Sequence, residues 1–317
     1  MSNQLNILML GGAKRVSLAS LLKDAGARHG FDVNIYSSEI IPTVPIASVG
    51  TVIEGCKWRD PQIYDNLTSA IRKYNISIIL PFVDGAIEIC SKLKEMHPEV
   101  FIPVSDYDIT HAMFDKSVAA QVFESHNFEI PKTYTSEDCR FPAILKPRKG
   151  SASKGIAIVN NKEELAAIPN HDKYLIQEYI AARDEYTVDC YVSMISGEVL
   201  CTVPRIRSST SGGEVDRTET RRIPQLIEQS RRILLTLNFR GPITLQFIHD
   251  KATDRYLLME INPRLGGGVV CSIHAGADIT EMIVTESTGK AAQPVDDWKD
   301  RALMARYFSE VMFYNEN

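Results

Sequence analysis

Long hydrophobic runs are missing from this chain: none approaches the roughly 18–20 apolar residues a membrane-crossing helix requires, so no membrane partner is expected. The N-terminus, Met1-Ser-Asn-Gln-Leu-Asn6, has no basic stretch, and the apolar run after it reads as a strand, so no secretory leader is expected. Cysteine is sparse and never in CxxC spacing. The six residues (Cys56, Cys90, Cys139, Cys190, Cys201 and Cys271) suggest neither a zinc cluster nor a disulfide framework, and read as buried free thiols of a reducing compartment, the cytoplasm by default. A basic surplus is also lacking. The net charge of −5 argues against a nucleic-acid partner, which makes the local cluster Lys146, Arg148, Lys149 and Lys154 an exception to explain. Internal repeats and low-complexity segments are absent.

What is present suits two or three compact units in 317 residues, with an ordinary globular composition of 44% apolar and 24% charged residues. To about residue 110, strands and helices alternate. Leu5 to Leu10 and Phe31 to Tyr36 read as strands. Val16, Leu18, Leu21, Leu22 and Ala25 are spaced as one helix, and Ile63, Leu67, Ala70, Ile71 and Tyr74 as another. Ser77 to Pro81 reads as a buried strand, Ala86 to Leu93 as a helix, and Phe101 to Val104 as a short strand. Such alternation gives an α/β unit, a mostly parallel sheet with helices on both faces. Its Gly11-Gly12 turn lacks the GxGxxG of a dinucleotide site, since the next glycine is Gly26, and no acidic residue convincingly closes the second strand. A plain tight turn or a small-substrate loop is expected there, and a nicotinamide-dependent oxidoreductase is not.

The texture then changes. Asp115 can cap a helix carrying Val118, Ala119, Val122 and Phe123, which leaves Lys116 in a first turn that the helix dipole disfavours. Phe141 to Pro147 is a strand with Lys146 near its end, and Ile156 to Val159 is another. Between them Arg148-Lys-Gly-Ser-Ala-Ser-Lys-Gly155 offers open backbone N–H groups and positive charge, suited to folding over phosphates; a plain surface hairpin fits it equally well. It is not a Walker loop, because GxxxxGK[ST] is absent and a strand follows. Tyr174 to Ile180 is a further run, Tyr186 to Met194 alternates strictly, and Glu198 to Val203 follows as a hairpin partner. A helix is expected from Pro224 to Leu237, another from Ile279 to Ser287 stopped by Gly289, and a last strand near Leu303 to Phe313.

The pattern centres on Glu260-Ile-Asn-Pro-Arg264. In a strand, Glu260 and Asn262 share one side while Leu257, Met259 and Ile261 fill the other. If the hairpin from Ile243-Thr-Leu-Gln-Phe-Ile248 is symmetric about Thr253, Gln246 falls opposite Glu260. An acid and two amides make a poor zinc site and a good one for Mg²⁺, which takes a few protein oxygens and leaves other positions to water and phosphates; Mn²⁺ has the same preference. The polar face of an exposed hairpin is the alternative.

In order and spacing, Lys116, Lys146 with its glycine-rich flap, Gln177-Glu-Tyr-Ile180, Glu185-Tyr-Thr-Val-Asp189, Gln246 and Glu260 to Arg264 resemble the ATP-grasp superfamily, nearest its carbamoyl-phosphate-synthase-like carboxylate–amine ligases. The resemblance implies an ATP-grasp fold, two α+β subdomains clasping ATP, preceded by a Rossmann-like pre-ATP-grasp domain. The implied divisions are residues 1–112 for that first domain, 113–184 for the lid subdomain and 185–317 for the subdomain with the metal site. It further implies that Lys116 and Lys146 hold ATP phosphates, that Gly150, Ser151, Ser153 and Gly155 cover them, and that Gln177, Glu178, Tyr179 and Ile180 form the adenine hinge. Glu185 is the implied ribose acid, Gln246, Glu260 and Asn262 the metal trio, and Arg264, with Lys146, the catalytic cations. Many members carry an acid where Gln246 stands, so metal is expected to bind less tightly here.

The activity this implies is ATP-dependent: a small carboxylate is phosphorylated to an acyl phosphate and passed to an amine. A non-catalytic ATP sensor and a bicarbonate-phosphorylating fragment are the alternatives, the latter weakened by the lack of a second ATP-grasp half and of an amidotransferase. On the acceptor side, Arg205 and Arg207 follow Pro204, and Arg205 is a candidate for the substrate carboxylate or simply a solvated strand end. Ser208 to Gly213 reads as a closing loop, while Gly266, Gly267 and Gly268 either present N–H groups to the acyl phosphate or only make a turn. Arg306 and Glu310 fall on one face of the last strand. A two-fold homodimer is the default assembly.

Overall fold

The computed structural model describes residues 3–150, 154–211 and 214–314. Its first sheet follows from alternation. The strands β1 (Gln4–Leu10), β2 (Asp32–Glu39), β3 (Thr51–Glu54) and β4 (Ile78–Pro81) run parallel in the order β3-β2-β1-β4, and the helices α1 (Val16–Arg28), α2 (Ile63–Tyr74) and α3 (Asp84–Met96) cover the sheet. Leu5, Ile7 and Met9 of β1 pack with Leu18, Ala19 and Leu22 of α1, whereas Leu8 and Leu10 pack with Leu67 of α2 and Ala86 and Leu93 of α3. Successive strand residues point to opposite faces, so both faces need a helix layer. Two expectations change here. Phe101 to Val104 forms only a single bridge from Phe101 to Ile78, and Thr51–Glu54 is a strand the sequence pattern did not reveal.

The second strand does end on an acid, contrary to expectation. Glu39 accepts from Ser37 Oγ at 2.7 Å and from the N–H groups of Gly12 and Ala13, while burial pushes its carboxyl above the usual carboxylate value. A side chain of the protein itself thus occupies the Gly11-Gly12 turn.

Helices α4 (Tyr107–Ala112) and α5 (Lys116–Ser125) lead into a second, antiparallel sheet. It holds β5 (Thr133–Tyr134), β6 (Ala143–Pro147), β7 (Ala157–Val159) and β8 (Tyr174–Glu178) in the order β5-β8-β6-β7, with α6 (Lys162–Ala167) beside it. Its core is small: Ala143, Leu145, Val159, Leu165 and Ile176. A unit with so little buried apolar surface of its own is the one most easily displaced.

The third sheet is antiparallel in the order β13-β12-β9-β10-β11-β14. Its strands are β9 (Arg183–Val192), β10 (Val199–Ser211), β11 (Glu214–Thr220), β12 (Gly241–Asp250), β13 (Arg255–Asn262) and β14 (Leu303–Ala305), accompanied by α7 (Pro224–Thr236), α8 (Val269–His274) and α9 (Ile279–Ser287). From Tyr186 to Val192 the central strand β9 is buried on both faces. Val188, Cys190 and Val192 meet α7 through Leu226, Ile233 and Leu234, while Tyr191 joins a core shared with α1, α8 and α9. That shared core fixes the first sheet to the third, reinforced where Arg28 Nη2 reaches Asp278 at 2.5 Å and Glu281 at 2.7 Å. Two further expectations fail. Ser208 to Gly213 is no free loop, because β10 runs to Ser211 and pairs with β11, although 212–213 lie outside the described residues. The last strand stops at Ala305, so no strand face joins Arg306 to Glu310; Arg306 instead donates to the Gly267 carbonyl. Among the described residues no helix is long and apolar enough to cross a membrane.

Candidate active site

The β12–β13 hairpin brings Gln246 opposite Glu260, but not by simple symmetry. From Asp250–Arg255 to Phe247–Leu258 the pairing keeps one register; then Gln246 faces Glu260, and Met259 is left over as a bulge. The bulge changes which side chains share a side. Leu257 and Met259 gather with Ile180 and Ile248 on the face of Gln246, while Leu258 and Ile261 enter the core under α7. Leu257 and Met259 therefore flank Glu260 on its own face, against the strict alternation expected.

On that face the three polar side chains converge. Gln246 Nε2 donates to Glu260 Oε1 at 2.7 Å, and Asn262 Nδ2 donates to the same oxygen at 3.0 Å. Arg207 Nη1 donates to Gln246 Oε1 at 2.8 Å, and Arg264 Nη2 to Asn262 Oδ1 at 3.3 Å. Among the described residues no three His, Cys, Asp or Glu side chains gather to hold a metal, so a cation here would rely on the amides. The donor set fits one: turning either amide about its last bond exchanges nitrogen for oxygen, and two amide oxygens beside a single carboxylate suit a hard divalent ion.

Lysines approach from the second sheet. Lys146 on β6 donates to Gln177 Oε1 at 3.1 Å; burial lowers its pKa to about 8, against the pull of Glu260, which favours the ammonium. Lys116 donates to the Gly150 carbonyl at 2.7 Å. Asp115 caps α5 through the N–H groups of Ser117 and Val118 and also receives Arg148 Nε and Nη2 at 3.1 and 2.9 Å. Burial works to raise the Asp115 carboxyl, but Arg148 and these N–H groups outweigh it and hold it below the usual value. The helix start and the stem of the flap are thereby joined. Ser151 and Ser153 lie outside the described residues.

Gln177 is buried at 4% exposure and spans Lys146 and the Pro131 carbonyl, so it stands behind the lysine and not at an open edge. In the segment after it, Glu178 N bonds the Lys132 carbonyl and Tyr179 N the Pro142 carbonyl, whereas the Tyr179 carbonyl and the Ile180 N–H are uncommitted among the described residues. Glu185 lies 3.5 Å from Arg183 Nε and 3.8 Å from Arg207 Nη1.

A cavity of about 120 Å³ opens beside the trio, lined by Arg15, Thr187, Arg205, Arg207, Val215, Thr244, Gln246, Asn262, Arg264 and Gly266 to Gly268. A larger open depression on the outer side of α7 shares none of these residues. Arg205 is corrected here. At 1% exposure it donates Nε and Nη2 to Asp189 at 2.7 and 3.0 Å and Nη1 to Thr218 Oγ1 at 3.0 Å, while Ser272 Oγ also binds Asp189. Its charge is spent inside the fold. Gly268 must be glycine because a Cβ there would lie 2.5 Å from Arg205 Nη1, and one at Gly266 would lie 2.8 Å from Thr244 Oγ1. The sequence places Arg207 beside Arg205 after Pro204 without giving it a role, and it does not single out Arg15. A strand reading that placed Arg207 two residues from Arg205 gave the one available signal; for Arg15, close to the Gly11-Gly12 turn, nothing local did.

Residues 170–308 match a family model described as ATP-grasp in the biosynthetic pathway with Ter operon. A D-alanine–D-alanine ligase of Fusobacterium nucleatum is 37% identical over 89 residues, 27% of this chain and 29% of that protein. The large chain of carbamoyl phosphate synthase from Methanobrevibacter smithii is 23% identical over 240 residues, 66% of this chain and 22% of that protein. The chain thus spans less than a third of either relative. Among solved structures, the biotin carboxylase domain dimer of Hydrogenobacter thermophilus 2-oxoglutarate carboxylase, in complex with MgADP, ADP and bicarbonate, superposes with a TM-score of 0.73 at 15% identity, covering 94% of this chain and 73% of that one. Residues 170–308 thus match an ATP-grasp family model, and nearly the whole chain shares the fold of the carboxylase domain.

Proposed function

We propose that the chain is an ATP-dependent ligase that activates a small carboxylate as an acyl phosphate and transfers the acyl group to an amine. The observation that carries this reading is the meeting of Gln246, Glu260 and Asn262 beside Arg264, with Lys146 electrostatically coupled to Glu260. A binding protein has no need of an acid and an arginine at the terminal-phosphate position. The domain division 1–112, 113–184 and 185–317 is supported by the three sheets, each drawn almost wholly from one of these ranges.

In this reading Lys116 and Lys146 hold the ATP phosphates as point charges, and the flap with Gly150 and Gly155 covers them. The uncommitted Tyr179 carbonyl and Ile180 N–H suit the amino group and ring nitrogen of the adenine edge, and Glu185 the ribose. Gln246, Glu260 and Asn262 would hold Mg²⁺, or Mn²⁺, which supplies charge neutralisation for phosphoryl transfer when bound. The carboxylate oxygen attacks the γ-phosphorus, the new O–P bond forms, and the bond to ADP breaks. Arg264 stabilises the charge on the transferring group, while Gly266 and Gly267 offer close backbone approach to the acyl phosphate. The amine lone pair then attacks the acyl carbon, and phosphate leaves with the bonding electrons and the amine proton. Closure of the lid sheet keeps water from the acyl phosphate.

The carboxylase neighbour being a dimer supports a homodimer here, and six free cysteines support a cytoplasmic setting. The test is to incubate the protein with Mg-ATP, hydroxylamine and a panel of carboxylic acids. Hydroxamate with stoichiometric ADP is expected for one acid or a narrow set, and ADP release with none of them overturns the reading.

A further inference from the structure

Arg264 is buried at Nε, and that nitrogen has no hydrogen-bond partner among the described residues. Its nearest counter-charge comes from the first sheet, where Asp84 Oδ1 at the start of α3 lies 3.8 Å away, too far for a direct bond. The Asp84 side chain is 46% exposed and no donor among the described residues bonds it. Arg264, Glu260, Lys116 and Glu88 are the charged groups around it. An acid from the helix layer of the first sheet thus faces the arginine that follows β13 at 3.8 Å.

The other carboxylates near the cavity are committed. Glu260 takes two amide N–H groups, Asp189 is bound by Arg205 and Ser272, and Glu185 lies against Arg183 and Arg207. The residues lining the cavity include Arg15, Arg205, Arg207 and Arg264, of which Arg205 and Arg207 face Asp189 and Glu185. An amine that is to reach an acyl group held at Arg264 comes within reach of Asp84, the acid nearest that arginine, and a carboxylate attracts an ammonium.

We propose that Asp84 is the residue that receives the amine: it accepts N–H hydrogen bonds from the incoming nitrogen and so makes the site selective for amines that are cationic in solution. This rests on the ligase reading above. Asp84 takes no proton in the scheme: the ammonium gives one proton to solvent before attack, Asp84 orients the nitrogen so that the lone pair set free faces the acyl carbon, and as the C–N bond forms and the C–O bond to phosphate breaks the second proton leaves with phosphate. The same carboxylate disfavours anionic nucleophiles at that position.

The experiment compares two nucleophiles with the acid that gives hydroxamate in the wild type. Hydroxylamine is uncharged near neutral pH. The cationic probe is the best competitor among methylamine, ethanolamine and glycine, followed by mass detection of the amide. For Asp84→Asn, KM for the cationic amine should rise about 10- to 100-fold, the usual effect of losing a charge-assisted bond. Hydroxamate formation should lose much less, because hydroxylamine brings no positive charge to the carboxylate, and Asp84→Glu should recover part of the loss. Equal losses with both nucleophiles would mean that Asp84 only steadies Arg264, and an unchanged KM would mean that it does not meet the amine; either overturns the inference while the ligase reading stands. It also falls if none of the three amines competes with hydroxylamine. A wild type that forms no hydroxamate with any acid removes the ligase reading itself.

Discussion

Gln246 and Glu260 face each other across β12 and β13 because Met259 bulges out of the ladder between them, and the amide donates to the acid at 2.7 Å. The carboxylate is the single negative charge of the trio. Glu260→Gln keeps the shape and removes the charge, so ADP formation should fall by about 100-fold or more, the scale for losing one transition-state electrostatic partner. Stabilisation against heat by ADP should persist, but the extra increment from adding Mg²⁺ should vanish. An undiminished Mg²⁺ increment in thermal-shift measurements would place the cation elsewhere.

Lys146 carries a pH signature. Burial lowers its pKa from 10.5 to about 8, so the free protein loses the charge proposed to hold phosphate as pH rises through that value. Bound triphosphate favours the ammonium and restores the proton. The ratio kcat/KM for ATP should therefore decline above about pH 8 while kcat does not, and Lys146→Arg should flatten the decline. Folding stability has the opposite sign: between about 8 and 10.5 the unfolded chain holds the additional proton, so raising pH favours the folded state by relieving the buried charge. A pH-rate profile for both proteins checks the first claim.

The Arg205–Asp189 pair is buried at 1% exposure on each side. Removing one partner strands the other charge, and Arg205→Ala should cost about 3–5 kcal/mol in denaturant unfolding. Lysine cannot reproduce the two parallel bonds, so Arg205→Lys should recover little. A variant of wild-type stability with a raised KM for the carboxylate would return Arg205 to a substrate role.

Gly268→Ala places a methyl 2.5 Å from Arg205 Nη1 and 2.8 Å from Val215 Cγ1. Neither neighbour is free to yield, since Arg205 is fixed by Asp189. A loss of about 1–3 kcal/mol is expected from overpacking, together with a lower carboxylate-dependent rate. Denaturant midpoints and ADP release measured on one preparation test both.

Much of this was legible from local pattern. Helix spacing, the cap at Asp115 and the runs of β1, β4, β6 and β8 depend on neighbours within a few residues, and the structure reproduces them. Glu260 and Asn262 could be paired with Gln246 because one hairpin links all three in sequence. The face assignment of Leu257 and Met259 failed because a one-residue bulge is invisible to a period-two pattern. Arg205 looked like a ligand because its partner Asp189 lies on a neighbouring strand and its packing partner Gly268 lies beyond β13.

By itself the sequence determined the alternating first unit, the lysine-bearing hairpin and the acid–amide–arginine series, since each is a short-range pattern of hydrophobicity and charge. Only the tertiary structure decided which charges are spent and which are available. Burial and pairing between distant strands turned Arg205 into a strut and brought Arg207 and Arg15 to the cavity. They also set Asp84, at the start of α3, 3.8 Å from Arg264, a closeness that arises from packing separate layers and leaves no trace in local spacing.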